Sequence, residues 1–137
     1  MLSLRQNKPA KMKCPKQDLE FEIVFLEGVI RRDPDFVEAL QILGDAYTKT
    51  GQCEKGLKVD RRLAKLCPDN ALVFYNLACS YSLLGKITAA FAALRRAIRL
   101  GYDDARWLAR DPDMKSVRQD RRYEAIRKQL THKKSAS

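Results

Sequence analysis

Leu40–Gln41–Ile42–Leu43–Gly44–Asp45–Ala46–Tyr47 returns 34 residues later as Phe74–Tyr75–Asn76–Leu77–Ala78–Cys79–Ser80–Tyr81. The same interval carries Gly51 to Gly85, Leu66 to Leu100 and Pro34 to Pro68. A fixed period of this length is the signature of a repeat architecture. Within the unit, Leu40, Leu43, Ala46 and Tyr47 fall at helical spacing on one stripe. Leu57, Val59, Leu63 and Leu66 form a second apolar helix face. Gly51 stops the first helix, because glycine alone adopts the left-handed turn there at little cost. Pro68 ends the second helix, and Asp69 or Asn70 can cap the next. Two helices of this size cannot bury their apolar faces alone, so neighbouring units must stack. Tyr75, Leu77, Tyr81, Leu84, Phe91, Leu94 and Ile98 supply the second unit, and Ala78, Ala89, Ala90 and Ala93 permit close helix approach.

These residues resemble the tetratricopeptide repeat (TPR), whose pattern is a large apolar residue, Leu-Gly, Tyr, Ala, Phe and a closing Pro. The resemblance covers residues 18–130, and it departs from the pattern at three positions. Gly56 stands where the family has Ala, Asp60 where it has a large aromatic, and Tyr102 where it has the closing Pro. Asp60 is expected either to be exposed by a local rotation or to pair with an arginine. The resemblance implies an all-α fold: a short right-handed TPR-type solenoid of antiparallel helix pairs closed by a C-terminal capping helix. The expected boundaries are a flexible basic tail over 1–16 and a domain over 17–130, with a flexible tail over 131–137. The domain comprises a helix at 17–32, repeats at 37–70 and 71–104, and a capping tail at 105–130. That tail resembles those found after the last repeat in many bacterial repeat proteins. Trp107, Met114, Val117, Tyr123, Ile126 and Leu130 are its expected capping residues.

In such stacks the first helix of each unit lines a concave groove. The resemblance therefore places Gln41, Asp45, Tyr75, Asn76 and Cys79 in a partner-binding groove, with Arg106 and Arg110 from the following unit. One subfamily holds the C-terminal carboxylate of heat-shock chaperones with a Lys–Asn, Asn, Lys–Arg set. Asn76 and the basic pair Arg106 and Arg110 match that set. Gln41 and Asp45 do not, and Asp45 opposes a carboxylate. Asn76, Arg106 and Arg110 remain as a partial anion pocket, since arginine can grip a carboxylate through two parallel hydrogen bonds. Tyr75 is the expected aromatic anchor for a peptide.

The formal charge of +10 is unevenly spread: residues 1–16 contribute five positive charges without an acid, and Lys133 and Lys134 two more. Arg61, Arg62 and Lys65 recur as Arg95, Arg96 and Arg99, an outer basic ladder. Ladder and tails support an alternative reading, a nucleic-acid-associated protein, but no aromatics are interleaved for base stacking. No constellation for catalysis is apparent. The glycines are scattered, and no Ser or Cys nucleophile has a histidine base, since His132, the single histidine, lies in the tail. Asp33–Pro34–Asp35 and Asp111–Pro112–Asp113 read as helix caps. Cys14, Cys53, Cys67 and Cys79 form no metal-ligand spacing, so no metal or cofactor is expected. Free thiols in a helical chain point to a reducing compartment, expected to be the cytoplasm. The expected function is a non-enzymatic protein–protein interaction module, an adaptor, scaffold or escort chaperone that takes a peptide or helix of a partner in its groove. Residues 18–32 lack a pairing helix of their own, so Phe21, Val24, Phe25, Val29 and Ile30 are candidate contacts for weak self-association.

Overall fold

The computed structural model describes residues 16–136, with side chains from Asp18 to His132. The tail expected over 1–16, with Cys14, lies almost wholly outside the described residues. The described chain is all-helical and falls into two compact units that divide between Pro68 and Asp69.

The first unit contains α1 (Lys16–Arg32), α2 (Val37–Lys49) and α3 (Cys53–Leu66). Leu19, Ile23 and Leu26 repeat at helical spacing, are buried, and set α1 against α2. The Tyr47 hydroxyl of α2 donates to the Glu27 carboxylate of α1. Burial first, and then that carboxylate, pushes the Tyr47 hydroxyl well above the ordinary tyrosine range, so it remains a donor. The α1–α2 connection is held by Arg62 of α3, whose Nε donates to the Pro34 carbonyl at 2.8 Å and whose guanidinium pairs with Asp35.

The α2–α3 turn depends on Gly51, whose φ of 78° lies in the left-handed region. The Gln52 amide donates to the Tyr47 carbonyl at 2.8 Å and the Gly51 amide to the Thr48 carbonyl at 3.1 Å. Together they close the helix end in the Schellman pattern. The next unit repeats it: Gly85 has φ 73°, with Lys86 to Tyr81 at 2.9 Å and Gly85 to Ser82 at 3.0 Å.

The departures at Gly56 and Asp60 are explained by a close α2–α3 approach. A Cβ added at Gly56 would lie 3.3 Å from Thr48 Oγ1. Asp60 is buried, not exposed, and its Oδ1 would lie 3.2 Å from a Cβ at Gly44. A large aromatic at position 60 would not fit at that separation.

The second unit contains α4 (Ala71–Leu83), α5 (Ile87–Arg99) and a tail. The tail comprises α6 (Ala105–Leu108), a single 3-10 turn (Pro112–Met114), α7 (Lys115–Arg118) and α8 (Tyr123–Ala136). Asn70 caps α4, its Oδ1 accepting from Leu72 N at 3.0 Å and Val73 N at 3.2 Å. Phe91, Leu94 and Ile98 of α5 are buried, as are Leu108, Met114, Val117, Ile126 and Leu130 of the tail. Trp107 and Tyr123, expected among the cap residues, are only half-buried. The last helix runs six residues past the boundary expected at 130, because Thr131–Ala136 contains neither Gly nor Pro to stop it.

Candidate functional site

In the first unit Gln41 is half-buried on α2 and Asp45 is buried. Asp45 Oδ2 pairs with Lys49 Nζ at 2.9 Å, one helical turn on. That lysine offsets the repulsion of a carboxylate expected from Asp45. Asp45 Oδ1 is buried with no hydrogen-bond partner among the described residues.

In the second unit the expected groove residues separate. Asn76 is half-buried on α4, and Arg106 and Arg110 are exposed. Tyr75 and Cys79 are 0% exposed, so a peptide cannot reach either. The tail covers both. The Tyr75 hydroxyl donates to Asp111 Oδ2 at 2.6 Å, and the Cys79 thiol donates to the same oxygen at 3.6 Å. The Tyr102 ring stacks on Tyr75, with centroids 4.4 Å apart and planes 15° from parallel. Tyr102 stands where the family has its closing proline, so this departure is what roofs Tyr75. Burial, reinforced by Cys79, Tyr102 and Asp111, drives the Tyr75 hydroxyl far above its usual range and keeps it a donor.

Asp111 is the residue that reading the sequence undervalued. It is buried, and its Oδ1 accepts from Asp113 N at 2.9 Å, which is the capping role expected of it. Its Oδ2 takes Tyr75 and Cys79, which the Asp-Pro-Asp spacing alone does not announce. Arg118 Nη1 donates to the carbonyls of Leu108 at 2.8 Å and Asp111 at 2.7 Å, fixing the turn. Cys79, Asp111 and Asp113 bring their donor atoms within 4.8 Å of one another, a grouping not expected from spacing. The hydrogen bonds from the Tyr75 hydroxyl, the Cys79 thiol and the Asp113 amide to Asp111 account for that convergence.

The exposed Arg106 and Arg110 form no ion pair among the described residues, and Asp104 is instead occupied in capping α6 through Trp107 N at 2.9 Å. Several residues of the outer ladder are engaged within the chain. Arg62 pairs with Asp35, Arg95 lies 5.6 Å from the Phe91 ring centroid, and Arg96 lies 5.5 Å from that of Phe74.

Residues 71–101, which are α4, α5 and their turns, match the family described as the tetratricopeptide repeat. Those residues form a tetratricopeptide repeat. It is 32% identical over 107 residues to a chloroplastic protein of Arabidopsis thaliana, across 76% of this chain and 30% of that one. It is 36% identical over 76 residues to the peroxisomal targeting signal receptor of Candida albicans, across 56% of this chain and 13% of the receptor. The receptor of Komagataella phaffii is 32% identical over 90 residues, across 64% of this chain and 16% of that one. This repeat protein thus spans less than a third of the length of each of these relatives. Repeats of this type serve as protein-interaction modules, and no helix among the described residues is long and apolar enough to cross a membrane.

Proposed function

We propose that this tetratricopeptide chain is a non-enzymatic adaptor or escort that docks an extended, carboxylate-bearing segment of a partner protein. The observation that carries the reading is the pair Arg106 and Arg110, exposed, four residues apart and without an ion-pair partner among the described residues. A guanidinium fork suits a carboxylate, and two of them select an acidic segment or a chain terminus. Asn76, half-buried on α4 of the same unit, is the polar side chain that would meet the segment's backbone. Tyr75 and Cys79 belong to the core of the second unit and take no direct part. The peroxisomal targeting signal receptors are similar in sequence and receptors by name, which favours a segment of protein as the ligand. The nucleic-acid reading draws less support, because Arg62, Arg95 and Arg96 are engaged within the chain.

The test is selection of random displayed peptides on the immobilised full chain, followed by titration of the winners. Enrichment of acidic or free-carboxylate peptides is expected, with affinity lost by roughly tenfold or more in Arg106→Glu/Arg110→Glu, equivalent to about 1.4 kcal/mol. Recovery of peptides without acidic character, bound equally well by that variant, would remove the reading.

A further inference from the structure

The helix α1 is apolar on two opposite sides. Leu19, Ile23 and Leu26 meet α2, while Phe21, Val24 and Phe25 are 75%, 66% and 62% exposed. Phe21, Val24, Phe25 and Gly28 lie at i, i+3, i+4 and i+7, which makes one continuous stripe. The internal register sets part of this stripe against charge in α3, while Phe25 corresponds to the buried Val59. The positions 34 residues on from Phe21, Val24 and Gly28 are Lys55, Lys58 and Arg62, the solvated, charged side of α3. Where α3 carries charge outward, α1 carries phenylalanine and valine. Large exposed apolar stripes of this kind mark association surfaces.

We infer that the occupant of this stripe is α1 of a second copy of the chain, packed antiparallel about a two-fold axis passing between Val24 and Phe25. Three features of α1 specify that arrangement. First, the stripe is self-complementary in size about that centre: Phe21 of one copy falls opposite Gly28 of the other, and Val24 opposite Phe25. Gly28 lies in a hollow lined by the apolar Val24, Phe25, Val29 and Phe36 and by the charged Arg31, Arg32 and Asp33, and this hollow receives the Phe21 ring of the partner copy, with the Arg31 guanidinium beside it. Second, the charges are self-complementary. Asp18, Glu20 and Glu22 occupy the N-terminal half of α1, and Arg31 and Arg32 its last turn. An antiparallel pair sets each acidic end beside the basic end of the other copy, whereas a parallel pair stacks like charge on like. Third, the edge residues fall in register. Glu20 lies beside Arg31 of the other copy on one flank, and Asp18 beside Arg32 on the other. An isologous contact of this form closes at two copies. It is built from the first unit alone and does not depend on the peptide reading, which rests on Arg106 and Arg110 of the second.

The full chain in a concentration series by sedimentation velocity decides the matter. The expected result is a reversible shift from 15.7 kDa to twice that mass. Phe25→Glu should abolish the shift while leaving the helical circular dichroism spectrum unchanged and its melt equal to that of the native chain at dilutions where that chain is monomeric, since Phe25 is largely exposed. Glu20→Arg alone and Arg31→Glu alone should each weaken the dimer by roughly tenfold at low salt, and the double variant should recover it. A chain monomeric at every concentration overturns the proposal. So does a dimer that survives Phe25→Glu, or a double variant no better than either single one.

Discussion

At the scale of single residues, Asp111 organises the second unit. One of its oxygens closes the tail turn and the other receives Tyr75 and Cys79. Asp111→Asn leaves a single carbonyl oxygen where two oxygens accept, and sets an amide donor near other donors. It should lower stability by about 1–3 kcal/mol in urea unfolding, the range for a buried polar group left unpaired. Tyr75→Phe should cost about 1 kcal/mol, and the double variant should show coupling rather than a simple sum. At the surface, the side chain and amide of Arg122 hold the Asp120 carboxyl down to about 2. Its folded value lies below the ordinary 3.8, so the contribution is present at neutral pH and fades as pH falls from about 4 towards about 2. Asp120→Asn should therefore show a flatter fall of Tm with acid over that window than the native chain. Reading the sequence identified Asp111 as a cap, because Asp-Pro-Asp is a local signal. It missed the partners because Tyr75 stands 36 residues away.

At the scale of elements, the helices were legible nearly to their ends. The periodicity of Leu40, Leu43 and Tyr47, the stop at Gly51 and the cap at Asn70 each act through neighbours in sequence, which is why they can be read there. Gly51 and Gly85 hold a left-handed turn in which a Cβ meets its own backbone. Gly51→Ala should cost about 1–2 kcal/mol although open space surrounds the site, and Gly85→Ala about the same. Equal losses in thermal melts would show that the two turns are one device used twice. The boundary of α8 was missed by six residues, since nothing in Thr131–Ala136 signals where a helix without a stop residue ends.

At the scale of the whole molecule, the fold class was readable because a repeat states its own period, whereas the exposure of the groove was not. The register correctly set Gln41, Asn76, Tyr75 and Cys79 on first helices. Whether such residues meet solvent depends on what closes the last repeat: here Tyr102, at the end of that repeat, stacks on Tyr75, and the non-repeating tail carries Asp111 onto its hydroxyl. Deleting residues 105–137 should accordingly remove Asp111 from both Tyr75 and Cys79, while Tyr102 stays stacked on the Tyr75 ring. Cys79 would gain reactivity towards a thiol reagent, and the second unit would lose its cooperative melt.

The proposed division of labour, a structural Tyr75 and an Arg106 and Arg110 pair that grips the ligand, is tested most directly by one paired measurement. Peptide affinity and melting temperature are recorded together for Tyr75→Phe and for Arg106→Glu/Arg110→Glu. The expected result is that Tyr75→Phe lowers the melting temperature and leaves affinity unchanged, while the arginine pair leaves the melt unchanged and loses the peptide. Loss of peptide binding by Tyr75→Phe at full stability, with the arginine variant binding normally, would contradict it.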